Sequence, residues 1–94
     1  MHVAAIELDL HIPNCHSLKE KRAVLKSILN GARNRYEVAA AETGHQDKWQ
    51  RAALGFAAVS ASAGHADEVI TKVERFVQSF PEIEVIEATW GVEA

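Results

Sequence analysis

The sequence is poor in cysteine, in proline and in long apolar runs. Its 94 residues include one cysteine, two prolines and six per cent aromatic residues. The single cysteine, Cys15, cannot form an internal disulfide. No apolar run approaches the ~20 residues that cross a bilayer, and the N-terminus lacks the basic start of a signal peptide. We therefore expect a cytoplasmic protein with no membrane partner.

The sequence also has no excess of basic residues. The formal net charge is −3 and the pI is about 5.9, which argues against a general polyanion binder. Apolar residues make up 48% and charged residues 24%, a balance typical of soluble globular proteins. The length predicts a single domain over residues 1–94.

The hydrophobic periodicity predicts six elements in the order β-α-β-β-α-β. Period-two alternation marks strands, and apolar residues spaced three and four apart mark helices. The predicted strands are 2–12, 36–43, 51–61 and 83–92; the helices are 17–35 and the segment capped by Ser62 and stopped by Pro81. This order matches the split βαβ or ferredoxin-like motif of α+β proteins. Right-handed crossovers then give sheet order 4-1-3-2 with both helices on one face.

The first helix carries most of the basic charge. Ser17 and Glu20 form a capping-box pattern at its start. An apolar arc is expected to face the core: Leu18, Val24, Leu25, Ile28, Leu29 and Ala32. A neighbouring arc forms an exposed stripe of Lys19, Arg22, Lys26, Asn30 and Arg33, flanked by Lys21 and Arg35. Six basic residues against one acidic residue suggest a local site for an anionic partner, although such a stripe also simply solvates a helix.

The polar loop at residues 44–50 and the start of this helix fall at the same end of the predicted sheet. Trp49 would either stack on a base or fold back over the core. Glu7 and Asp9 point to the open sheet face and would repel phosphate, so RNA is expected at the helix and loop. Arg33 and Arg35 lie at the other end. The candidate binding residues are Lys19, Lys21, Arg22, Lys26, His45, Gln46, Asp47, Lys48, Trp49 and Arg51.

Two stretches resemble a known family. SLKEKRAVLKSI, from residue 17, and AETGHQDKWQRAALG, from residue 41, together are similar to the YlxP-like family of small uncharacterised bacterial proteins. The resemblance implies a ferredoxin-like fold. The genes of that family often lie near those for ribosome-binding factor A and an initiation factor, which implies a role in translation or ribosome maturation. It implies no catalytic residues.

In the leading interpretation the protein binds RNA or a ribosomal subunit, is not an enzyme and has no cofactor. One alternative is a homodimer through the open sheet face, where the third strand offers Ala53, Gly55, Ala57 and Val59. Another is a small-anion hydrolase near Cys15 and Ser17. A metal site built from His11, Cys15, His16 and His45 lacks the paired spacing that holds two ligands on one element, so no metal ligand is assigned.

Overall fold

The computed structural model describes residues 1–91 and has the predicted element order. The elements are β1 (His2–His11), α1 (Leu18–Tyr36), β2 (Ala39–Gly44), β3 (Arg51–Ser60), α2 (Ala63–Gln78) and β4 (Glu84–Trp90). The predicted fourth strand ran to Val92, which lies outside the described residues.

The four strands form one antiparallel sheet in the order β2-β3-β1-β4, which confirms the predicted topology. Ile6 lies opposite Phe56 and Leu8 opposite Leu54 in the β1–β3 pair, and these four side chains are buried. They pack with residues of α1 and α2, including Ile28 of α1, in one core. Both helices therefore cover the same face of the sheet.

The other sheet face is open and bears the small residues expected there. Ala53, Gly55, Ala57 and Val59 alternate with the core residues of β3; Ala53 is buried and Val59 is exposed. Gly55 is required because a Cβ at this position would lie 2.8 Å from Cγ2 of Thr43.

The end of α1 differs from the prediction. The helix continues through Tyr36, and the next residue, Glu37, adopts a left-handed conformation with φ 54° while its N–H donates to the carbonyl of Arg33. The ring of Tyr36 packs edge-on against Phe76, with 5.8 Å between centroids. The prediction that a strand starts at residue 36 is therefore wrong, because this contact with α2 keeps Tyr36 helical; β2 starts at Ala39.

The start of α1 confirms the predicted cap. The hydroxyl of Ser17 accepts a hydrogen bond from the N–H of Glu20 at 3.1 Å. The carboxylate of Glu20 in turn accepts from the N–H of His16 at 2.8 Å. These bonds satisfy backbone donors that the first helical turn leaves without partners.

Within residues 1–91, neither helix is apolar and long enough to cross a membrane.

Candidate functional site

The loop between β2 and β3 is held against α1 by one buried lysine. The ammonium group of Lys21 donates to the carbonyl of His45 at 2.6 Å and to that of Lys48 at 2.7 Å. It also lies 2.9 Å from a carboxylate oxygen of Glu42, at the end of β2. Two of the three N–H donors of the ammonium thus bond to loop carbonyls. The Glu42 contact is an ion pair, and this carboxylate oxygen has no hydrogen-bond partner among the described residues.

A second contact joins the same loop to the turn that precedes α1. The side-chain amide of Gln50 donates to the carbonyl of Cys15 at 3.2 Å and lies 3.4 Å from that of Pro13. The backbone carbonyl of Gln50 accepts from the N–H of Ile12 at 2.9 Å. The β1–α1 turn, the first turns of α1 and the loop therefore form one unit, which confirms that they share one end of the domain.

The prediction that Lys21 flanks the exposed stripe is wrong. Lys21 is 2% exposed. The buried residues Leu25, Ile28 and Ala32 lie four, seven and eleven positions later, so Lys21 belongs to the buried arc of the helix. The spacing of apolar residues in the sequence already placed Lys21 on the buried arc, but the charge of the lysine suggested exposure. The methylene chain of a lysine can pack against apolar residues of the core while the ammonium group at its end reaches polar groups.

Arg51 and His45 also lie elsewhere than predicted. The guanidinium of Arg51 forms an ion pair with Asp9 at 2.8 Å, and a ring nitrogen of His45 lies 3.7 Å from the other oxygen of Asp9. Asp9 and Arg51 belong to the open face of the sheet, since they alternate with the buried residues of β1 and β3. The prediction that Arg51 shares a surface with Lys19 and Arg22 is wrong, because the sheet separates them.

The other candidate residues remain accessible. Trp49 is 52% exposed, so its indole is only partly covered. Among the described residues, no carboxylate lies within 4.0 Å of the cationic groups of Lys19, Arg22, Lys26 or Lys48. We call the exposed set the helix–loop surface: Lys19, Arg22, Lys26, Gln46, Asp47, Lys48 and Trp49.

Arg33 and Arg35, near the end of α1, make contacts within the fold. The topology predicted from the sequence places both at the end of the domain opposite the loop. Arg33 donates to the side chain of Asn30 at 3.1 Å and to the carbonyl of Ala40 on β2. Arg35 lies over the ring of Phe76, 5.0 Å from its centroid, in a cation–π arrangement. The basic stripe therefore divides into an available N-terminal half and a C-terminal half used in packing.

Cys15 is buried and its thiol donates to the carbonyl of Ser17 at 3.2 Å. Cys15 is only 3% exposed, so the surrounding side chains cover its thiol. His11 lies on the open face, 3.7 Å from Glu84. Within the described part of the chain, no three side chains of His, Cys, Asp or Glu are grouped to hold a metal ion.

Three similarities to known proteins accompany this geometry. A family model described as "Protein of unknown function (DUF503)" matches residues 3–90. The uncharacterised protein YlxP of Bacillus subtilis is 47% identical over 78 residues, which cover 83% of this chain and 85% of that protein. A de novo designed protein with a ferredoxin fold, solved by NMR in solution, superposes with a TM-score of 0.60 at 11% identity, covering 99% of this chain and 88% of that one. The likeness to the designed protein shows the fold alone.

Proposed function

We propose that this protein, which belongs to the DUF503 family of proteins of unknown function, binds RNA through its helix–loop surface. The observation that carries the proposal combines the half-exposed indole of Trp49 with four cations that have no carboxylate partner in the described part of the chain: Lys19, Arg22, Lys26 and Lys48. Cations contact phosphate oxygens, and an aromatic ring offers a platform for an unstacked base.

The distribution of charge supports this side of the molecule over the other. The open sheet face bears Glu7, Asp9, Glu84 and Glu87, and Asp9 is paired with Arg51. Carboxylates on that face repel a phosphate backbone, whereas the available cations lie on α1 and the loop. An acidic protein can therefore bind RNA at one local surface and reject it elsewhere.

The fixed position of the loop favours recognition of a single-stranded or looped RNA. Lys21 donates to loop carbonyls before Trp49, and the side chain of Gln50, the residue after it, donates to the turn that precedes α1. The loop is therefore held on both sides of Trp49, so ordering of this segment costs little on binding. Stacking of one base on an aromatic side chain contributes about 1–3 kcal/mol. Sequence-specific proteins commonly read RNA where bases are unpaired. Ribosomal RNA offers many such loops, in agreement with the translation role that the family resemblance implies.

The test compares two charge-reversed proteins with equal net charge. One carries Arg22→Glu and Lys26→Glu on the helix–loop surface; the control carries Lys72→Glu and Arg75→Glu on the exposed side of α2. Binding to labelled ribosomal RNA fragments is measured over a range of salt concentrations. Each phosphate contact contributes about 0.7 to the slope of log affinity against log salt for single strands. We expect the α1 variant to lose at least tenfold in affinity and about one unit or more of slope, and the α2 control to bind as the wild type does.

Replacement of Trp49 by alanine separates stacking from charge. We expect an affinity loss of about 5- to 150-fold with an unchanged salt slope, since stacking contributes ~1–3 kcal/mol. Equal losses in the α1 and α2 variants would mean that only net charge matters. Wild-type-like RNA binding by folded α1 and Trp49 variants would contradict the proposal. Sedimentation of the same proteins with ribosomal subunits at low and high salt tests the cellular partner.

A further inference from the structure

The open face of the sheet carries a shallow groove. Its volume is about 390 Å³, and it lies over β1, β3 and β2. Both helices pack on the other face, so no helix among residues 1–91 covers it. Two rows of residues that lie opposite one another on the three strands form its floor: Glu7, Gly55 and Ala41, and then Ala5, Ala57 and Ala39. Five of these six residues are glycine or alanine, so the backbone of a partner can approach the sheet closely.

A hydrogen bond that crosses β3 closes one end of the groove. The hydroxyl of Thr43 on β2 donates to the carboxylate of Glu7 on β1 at 2.6 Å. This bond passes over Gly55, where a Cβ would lie 2.8 Å from Cγ2 of Thr43. At the other end the groove continues to Val3 and Val59, which lie opposite each other and are 46% and 67% exposed. A small molecule is mostly enclosed at its binding site, so a groove open at this end fits a segment of another protein better.

Two carboxylates beside the groove have no cationic partner. Among the described residues, no Lys, Arg or His group lies within 4.0 Å of the carboxylate of Glu7 or of Glu87. Glu87 lies opposite Asp9, so these two side chains share the open face. The guanidinium of Arg51, on the same face, is paired with Asp9. A partner that carries Lys or Arg beside small or apolar residues is therefore complementary to this face in charge as well as in shape.

We propose that the open face binds a cationic segment of a partner protein. Small or apolar side chains of this segment fill the groove, and its Lys or Arg residues contact Glu7 and Glu87. A second copy of this chain fits less well, because a twofold contact between two open faces sets carboxylates against carboxylates or against the apolar rows. RNA is repelled by the same carboxylates. The helix–loop surface lies on the other side of the sheet, so this binding does not depend on the proposed RNA binding.

Selection from a phage-displayed library of random peptides tests this surface without knowledge of the natural partner. The wild-type chain is immobilised, and peptides that also bind the Ala57→Gln variant are removed. This variant fills the groove with a neutral side chain, so the peptides that remain are those that need the groove. We expect them to combine Lys or Arg with small or apolar residues. A selection that enriches no peptide, or that enriches acidic or uncharged peptides, would overturn the proposal.

The affinity of a purified, labelled peptide from this selection tests the groove. Fluorescence anisotropy measures its dissociation constant for the wild type and for each variant. Ala57→Gln and, on the edge strand β2, Ala41→Gln should each weaken binding at least about tenfold, as for residues at the centre of an interface. The matched control is Ala23→Gln, at an exposed position of α1, and it should bind as the wild type does. Circular dichroism checks that each variant is folded.

Removal of the two carboxylates tests the charge. Glu7→Gln combined with Glu87→Gln should weaken peptide binding by about 2- to 30-fold, as for the loss of two exposed ion pairs, and should reduce its dependence on salt. The control Glu68→Gln with Glu82→Gln changes the net charge equally at exposed positions outside the open face and should have no effect. Equal losses in both pairs, or wild-type binding by folded Ala57→Gln, would overturn the proposal. So would self-association of the wild type that Ala57→Gln abolishes in sedimentation, because a second copy would then occupy the face.

Discussion

The substitution Lys21→Met removes a buried ammonium group and keeps an unbranched side chain of similar length. In the native protein this group contacts two carbonyls, those of His45 and Lys48, and the carboxylate of Glu42 at 2.6–2.9 Å. The methionine retains the apolar packing along α1, so the change isolates the polar contacts. These contacts connect α1 with β2 and with the loop, and their loss should loosen all three.

The cost follows from what each acceptor loses. A hydrogen bond to a charged group contributes about 1.5–3 kcal/mol, and removal of one partner from a buried ion pair costs about 3–5 kcal/mol. Lys48 is exposed, and Glu42 and His45 are partly exposed, so water replaces part of the loss. We therefore expect unfolding to become ~2–4 kcal/mol less unfavourable, against a total of ~5–14 kcal/mol for a domain of this size.

Thermal and urea unfolding measure this change. A domain of this length loses roughly 4–8 °C in Tm per kcal/mol, so the expected drop is about 8–32 °C. Lys19→Met is the matched control, because Lys19 is exposed on the same helix turn and should change stability by less than ~0.5 kcal/mol. Hydrogen exchange of the Lys48 amide, which donates to His45 at 3.0 Å, should accelerate. A loss below ~0.5 kcal/mol for Lys21→Met would refute the assigned role.

Two further predictions concern the packing around α1. Gly31→Ala should destabilise the fold by ~1–2 kcal/mol despite the better helix propensity of alanine, because the new Cβ would lie 2.6 Å from Cζ of Phe76. The control Asn34→Ala, exposed on the same helix, should leave the Tm unchanged. A Tm for Gly31→Ala equal to or higher than that of the wild type would contradict the contact. Gln50→Ala should lower the free energy of unfolding by ~1 kcal/mol, because the carbonyl of Cys15 loses its hydrogen-bond donor. Urea unfolding measures this change. An unchanged midpoint would show that water replaces the amide at no cost.

The topology was predictable because several local signals agree. The alternation of β1, the cap formed by Ser17 and Glu20, and the apolar spacing of α2 each favour one element type at one place. Right-handed crossovers then leave one sheet order for this sequence of elements. The end of α1 was not predictable in the same way, since the contact between Tyr36 and Phe76 joins residues forty positions apart.

The candidate site was predictable only in part. The proximity of the loop to the start of α1 followed from topology, and the structure confirms that proximity. The roles of individual residues could not be predicted in this way, because the sequence does not show which groups a charged side chain contacts in the folded protein. Lys21 contacts two carbonyls and a carboxylate inside the fold, and Arg51 pairs with Asp9 on the neighbouring strand.

Sequence alone determined the six elements, their order, and the concentration of basic residues on the first helix, since these depend on periodicity and composition within short segments. Tertiary structure alone decided which cations are available to a partner. That choice depends on distances between segments more than twenty residues apart, where a carbonyl or carboxylate either lies within reach of a cation or does not. Within residues 1–91 it leaves Lys19, Arg22, Lys26 and Lys48 without a carboxylate partner, and it uses Lys21 and Arg51 to hold the fold together.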